Sequence, residues 1–82
     1  MFSLVYSENA LRQLKKFPHE IQQRIITTLE RCRIRPYPHV KKLVGCPYFR
    51  LRAGDYRVII DIQGDKLLIF VLELGHRRNI YK

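Results

Sequence analysis

The chain has 82 residues, enough for one domain with a modest core and too few for a second. A hydrophobic fraction of 46% excludes disorder by composition. Sixteen Lys and Arg against seven Asp and Glu give a net charge of +9, more than solubility requires, so a polyanionic partner is expected. An acidic protein surface would satisfy the same field as a nucleic acid.

Residues 2–6 alternate weakly and are rich in strand formers, which predicts a strand joining a sheet. This first apolar run lacks a charged leader, so no signal peptide is expected. Ser7 suits a helix N-cap. After it Ala10, Leu11, Leu14 and Phe17 recur at helical spacing while Arg12, Gln13, Lys15 and Lys16 point away. Pro18 ends this helix and suits the first turn of the next. There Ile21, Ile25, Leu29 and Cys32 form the apolar stripe. Two helices joined so tightly form a hairpin that needs a sheet to cover.

Arg31, Arg33 and Arg35 cluster where the second helix ends, a position the helix dipole favours for cations without any ligand. From Pro36 to Pro47 the chain reads as a loop carrying Lys41, Lys42 and Gly45, its lysines suited to phosphate contacts that do not read sequence. Cys32 and Cys46 match no metal-ligand or redox spacing and read as reduced thiols of a cytosolic protein.

The most informative stretch spans residues 48–62, YFRLRAGDYRVIIDI, two strand-like runs joined at Gly54-Asp55. A two-residue loop sets Arg52 opposite Arg57 and Arg50 opposite Ile59. Arg50, Arg52 and Arg57 then share one face, with Phe49, Leu51, Val58, Ile60 and Ile62 on the other. Facing like charges destabilise a hairpin, and arginine grips phosphate with two donors at once, so this face expects an anion. The plainer alternative is a solvated face. A second two-residue turn at Gly64-Asp65 would place Leu67, Ile69 and Val71 on the core face and Leu68, Phe70 and Leu72 beside the arginines. A protein partner, the folded-over tail, or burial of this strand on both faces would each account for that apolar group. Its run is too short to cross a bilayer.

The tail holds His76, Arg77, Arg78 and Tyr81. Bent back toward Arg57, it would supply charge-assisted donors, an imidazole and a phenol around one phosphate. Those are the parts of metal-free RNA cleavage: the 2′-OH attacks the adjacent phosphorus, a base takes its proton, and cations stabilise the phosphorane. Individually, His76 also reads as a strand-end residue and Tyr81 as an apolar anchor or a ring on which a base stacks. No Gly-rich phosphate loop, zinc cluster or nucleophile motif is present, and no cofactor is expected.

The element order, with LVGCPYFRLRAGDYRVIIDI and VLELGHRRNIYK, resembles the RelE/ParE superfamily of toxins from prokaryotic toxin-antitoxin modules over nearly the whole chain. The resemblance implies an α+β fold in a single domain, residues 1–82: an N-terminal strand and helical hairpin packed on an antiparallel-rich sheet in the order β-α-α-β-β-β. It also implies a cytoplasmic, metal-independent endoribonuclease that enters the ribosomal A site, cuts mRNA and is held inactive by a cognate RelB-like antitoxin.

Arg57 matches the family arginine that contacts the scissile phosphate, Arg77 the tail arginine that stabilises the transition state or protonates the leaving group, and Tyr81 the tail tyrosine. Arg50 and Arg52 stand where basic residues support the mRNA backbone, and His76 stands where relatives carry lysine or histidine. Tyr48 replaces a lysine of RelE-type members, and the chain stops at Lys82 without the longer C-terminal helix of some relatives. A ParE-like toxin that inhibits DNA gyrase without nuclease activity, and an inactive antitoxin-binding relative, are the alternatives.

Overall fold

The computed structural model describes residues 1–76. Strand β1 (Ser3–Tyr6) leads into helices α1 (Glu8–Lys15) and α2 (His19–Cys32). A 3₁₀ turn (Tyr37–His39) then precedes β2 (Val40–Lys42), β3 (Phe49–Ala53), β4 (Tyr56–Gln63) and β5 (Leu68–His76). The five strands form one sheet in the order β1-β5-β4-β3-β2. Every pairing is antiparallel except that of β1 with β5. The α+β architecture expected from the sequence is the one observed, with one strand more than β-α-α-β-β-β.

The helices begin and end for local reasons. Ser7 has extended backbone, and its Oγ accepts the Ala10 amide at 3.0 Å, relieving one of the donors a helix start leaves unpaired. Glu8 in the first turn and Lys15 in the last suit the dipole. Pro18 lies just outside α2, as its N-cap, and its carbonyl accepts the Ile21 and Gln22 amides at 3.0 Å. The Gln22 side chain closes the connection by donating to the Phe17 carbonyl at 2.9 Å.

One face of the sheet carries the core. Ala10 and Leu14 of α1, and Ile25, Leu29 and Cys32 of α2, meet Leu51, Val58, Ile60, Ile69, Val71 and Leu74 in one continuous cluster. Ile25 and Leu29 are 0% exposed, each contributing roughly 1.5–3 kcal/mol by leaving water. Arg33 ties the end of α2 to the start of β1: its Nε donates to the Phe2 carbonyl at 2.9 Å and its Nη1 pairs with Glu30 Oε1 at 2.8 Å. One of the three clustered arginines therefore has a purely structural task.

Three features differ from the sequence reading. Residues 40–42 are not loop but an edge strand, with Lys41 opposite Arg50 and Lys42 opposite Phe49. A three-residue strand flanked by prolines has too little alternation to be seen in sequence. The second turn holds four residues, 64–67, and sets Gln63 opposite Leu68. Leu67 is therefore in the turn at φ 52° and 49% exposed, not on the core face. Adding two residues preserves the alternation, so Ile69 and Val71 still face the helices.

The third difference is a bulge. Ile60 pairs with Val71 but Ile59 pairs with Glu73, leaving Leu72 as the extra residue of β5. Helix α1 holds this irregularity. Ser7 Oγ donates to the Leu72 carbonyl at 2.9 Å, and Gln13 Oε1 accepts the Leu74 amide at 2.6 Å. Leu74 thereby enters the core at 1% exposure.

Two outcomes follow from these contacts. Gln13→Ala leaves the Leu74 amide without its acceptor and should cost about 1–3 kcal/mol, read from the urea midpoint. Burial, and secondarily the Glu30 carboxylate, raises the Tyr6 phenol, and burial raises the Cys32 thiol. A pKa raised in the folded state gives stability that is complete below the unfolded value and lost as pH climbs through the folded one. Stability should therefore decline above about pH 9–10, and Tyr6→Phe should flatten that decline in urea titrations.

Candidate functional site

The candidate site lies on the sheet face opposite the helices. The turn between β3 and β4 holds Gly54 and Asp55 alone, with Gly54 at φ 62°, a backbone that glycine adopts without a Cβ penalty. The register is the one expected: Ala53 with Tyr56, Arg52 with Arg57, Leu51 with Val58, Arg50 with Ile59. Arg52 and Arg57 therefore sit side by side on neighbouring strands, about 4.8 Å apart in backbone spacing. Arg52 is exposed, whereas Arg50 and Arg57 are partly buried.

The edge strand enlarges this face. Lys41 pairs with Arg50, and His39 ends the 3₁₀ turn two residues earlier. Together His39, Lys41, Arg50 and Arg52 line a hollow of about 300 Å³. Among the described residues no carboxylate comes within 4.0 Å of Lys41, Arg50 or Arg52, so their charges are left to solvent or to a ligand. Reading residues 36–47 as a loop hid His39. It ends the 3₁₀ turn that leads into the edge strand, and no local sequence pattern places it beside Arg50.

Lys42 turns away from this group. It pairs with Phe49, whose ring belongs to the core side, and its Nζ lies 5.9 Å from the centre of that ring. It also lines a second hollow of about 450 Å³ with Lys41, Leu43, Val44, Cys46 and Arg50.

His76 is moved by the bulge. Past Leu72, the core face takes Leu74 and His76, so Gly75 rather than a side chain stands opposite Arg57. The His76 ring packs edge-on against Tyr56, with centroids 5.6 Å apart, and Tyr56 in turn packs on Phe17 at 5.0 Å. Arg77, Arg78 and Tyr81 lie outside the described residues.

The rest of the open face is chemically different. Asp61 and Glu73 bring negative charge there, and Asp61 accepts from Gln63 Nε2 at 3.2 Å. Val5 pairs with Phe70 at the far side. The face is thus basic at the β2-β3-β4 corner, and acidic and apolar toward β5 and β1. Among the described residues no three His, Cys, Asp or Glu side chains gather as a metal site, and no helix is long and apolar enough to cross a membrane.

Residues 4–81 match the model of the ParE toxin of the type II toxin-antitoxin system parDE. Toxin RelE3 of Methanocaldococcus jannaschii is 29% identical over 84 residues, covering 95% of this chain and 93% of that protein. The mRNA interferase toxin RelE of Escherichia coli is 25% identical over 79 residues, covering 93% of this chain and 83% of its own length. The fold matches the RelBE2 toxin-antitoxin complex of Mycobacterium tuberculosis with a TM-score of 0.86 at 23% identity, covering 93% of this chain and 98% of that one. It matches the RelE-RelB complex of Pyrococcus horikoshii with a TM-score of 0.82 at 25% identity, covering 95% and 97%. Since the family match spans nearly all of a chain whose fold is also that of the solved toxin structures, this protein belongs to the ParE toxin family of type II toxin-antitoxin systems, within the RelE/ParE superfamily.

Proposed function

We propose that the chain is a ribosome-dependent endoribonuclease that cuts mRNA in the A site without a metal ion, acts in the cytoplasm and is held in check by a RelB-like antitoxin. The observation that carries this reading is the cross-strand pair Arg52 and Arg57, flanked by Arg50 and Lys41 on one open face. Like charges at directly opposed cross-strand positions disfavour each other, and arginine suits a phosphodiester because it can offer two donors at once. The name mRNA interferase borne by the E. coli relative, and the RelB chains bound to the archaeal one, point the same way.

In this mechanism Arg57 and Arg52 hold the non-bridging oxygens of the scissile phosphate while Arg50 and Lys41 hold its neighbour. The ribose 2′-oxygen bonds to phosphorus as its proton leaves, and the bond from phosphorus to the 5′-oxygen breaks. The products are a 2′,3′-cyclic phosphate and a 5′-hydroxyl. Charge accumulates on the phosphorane, where preorganised cations act most strongly. Arg77 and Tyr81 are assigned to transition-state stabilisation and to orienting the nucleophile or protonating the leaving oxygen. His76 carries an imidazole, the side-chain type suited to proton transfer, and it must reach this face around the end of β5.

The match to the parDE toxin favours a second reading, inhibition of DNA gyrase with the basic corner serving as a contact surface. Purified ribosomes programmed with an A-site codon separate the two. The nuclease reading expects cleavage that persists in EDTA and leaves a 2′,3′-cyclic phosphate. Intact mRNA together with gyrase trapped on DNA would replace it.

In that assay Arg57→Ala should lower the cleavage rate by roughly 10²- to 10³-fold, with the thermal midpoint little changed. Arg77→Ala and Tyr81→Phe should also slow it. Arg52→Gln should stabilise the free protein by about 0.2–1 kcal/mol, because it removes a facing like charge, while weakening RNA binding. His76→Phe keeps a ring against Tyr56 but removes the titrating nitrogen. A rate loss that follows the pH profile would assign His76 a proton, and an unchanged rate would leave it the packing role alone.

A further inference from the structure

Four of the eight large apolar side chains exposed among the described residues gather at one end of the molecule: Met1, Ile34, Tyr37 and Leu67. Backbone contacts bring their segments together. The Phe2 amide donates to the Arg33 carbonyl at 2.7 Å and the Ser3 amide to the Leu67 carbonyl at 2.8 Å, while the Tyr37 hydroxyl lies over Gly64, 3.2 Å from where a Cβ would stand. Met1 and Ile34 are 74% and 72% exposed. This end is remote from the basic corner, because Arg57 begins β4 and Gly64 follows its last residue, about 23 Å away at the rise of a strand.

Leu67 sets this patch apart from ordinary exposed surface. Its φ of 52° lies in the left-handed region that a Cβ disfavours, and it is the one residue other than glycine with a positive φ among those described. Glycine or asparagine would suit that backbone better. A strained backbone that presents a half-exposed leucine to solvent points to contact with something that covers it.

The charged surroundings indicate what that is. Arg31 and Arg35 stand on either side of Ile34 in sequence and Lys66 precedes Leu67, all three exposed; of the carboxylates in these segments, Glu30 is taken up by Arg33 at 2.8 Å and Asp65 remains. An apolar centre with a basic rim fits an acidic partner and opposes a second copy of the chain. The amides of Phe2, Ser3 and Leu67 are already paired within the chain, so this surface offers side chains rather than open backbone. A helix, whose own backbone is satisfied, is the element that fits it.

Resting on the reading that an antitoxin holds this toxin in check, we propose that Met1, Ile34, Tyr37 and Leu67 form an anchoring surface for an acidic amphipathic helix of that antitoxin. The helix sets apolar residues on Ile34 and Leu67 and carboxylates against Arg31, Arg35 and Lys66. At its distance from Arg57 the anchor tethers the antitoxin, and covering the anion site falls to another part of the antitoxin.

The test uses the full chain and the antitoxin encoded by the reading frame adjacent to its own, with affinity read by titration calorimetry. Leu67→Asn should weaken binding about tenfold while holding or raising the urea midpoint of the free toxin, since asparagine accepts the left-handed backbone. Ile34→Ser, at a position outside the core, should weaken binding by a similar factor with the midpoint unchanged. The double variant Arg35→Glu/Lys66→Glu reverses the rim and should lose more affinity at low salt than at high.

If Leu67→Asn and Ile34→Ser bind the antitoxin as the wild type does, or if affinity and urea midpoint fall together in both, the anchor is wrong while the antitoxin reading stands. If the wild type does not bind that antitoxin, the antitoxin reading and the anchor fall together. A rim reversal that leaves binding unchanged or tightens it would overturn the acidic partner. Self-association of the wild type in sedimentation, abolished by Leu67→Asn, would give the patch to a second copy instead.

Discussion

Helix α1 grips an irregularity in the last strand, and the placement of the candidate site follows from that grip. The bulge at Leu72 puts two successive residues between the core positions Val71 and Leu74, so the alternation of β5 is inverted from there on. Ser7 and Gln13 supply a donor and an acceptor to the backbone groups around it, at 2.9 and 2.6 Å. A freed amide in the core would otherwise cost as much as several good contacts gain. The consequence reaches across to β4: Gly75, with no side chain, stands beside Arg57, and His76 faces Tyr56 on the helical side. Arg57 therefore has the Cα of Gly75, not a side chain, as its neighbour on β5, because α1 holds β5 out of phase.

The two faces of the sheet divide stability from chemistry. The covered face is apolar and continuous, from Ala10 and Leu14 through Ile25 and Leu29 to Ile60 and Val71. The open face keeps like charges side by side, with Arg52 opposite Arg57 and Arg50 opposite Lys41. Such pairs detract from stability, and the core on the other side offsets them. The tight Gly54-Asp55 turn leaves little freedom to separate the pair, since a loop of two residues fixes the register of both strands. The backbone positions of the two arginines are set in that sense before any ligand arrives.

The open face also has a gradient. Basic groups occupy the corner made by β2, β3 and the start of β4, while Asp61, Glu73, Phe70 and Val5 occupy the side nearer β5 and β1. One face thus offers a polyanion a favourable direction and an unfavourable one. Beyond the acidic groups it presents an apolar border of the kind a protein partner covers.

Much of this was legible without coordinates. Ser7 as a cap, the stripe Ile25, Leu29 and Cys32, and the pairing of Arg52 with Arg57 all follow from short-range rules: helical spacing, side-chain capping, and a turn of fixed length between two strand-forming runs. The family resemblance rested on the same stretch, and the match over residues 4–81 bears it out. The edge strand at residues 40–42 was not legible, because its identity depends on a partner, β3, that no local pattern names. His39 was hidden with it. The bulge was not legible either, since residues 68–76 fit unbroken alternation equally well, and only the positions of Ser7 and Gln13 on a docked helix select the broken one. The sequence by itself determined which residues are basic, which are apolar and how the arginine hairpin closes. Tertiary structure alone decided which side of β5 carries His76 and which edge carries Lys41, because the phase of a strand is set by what packs against it.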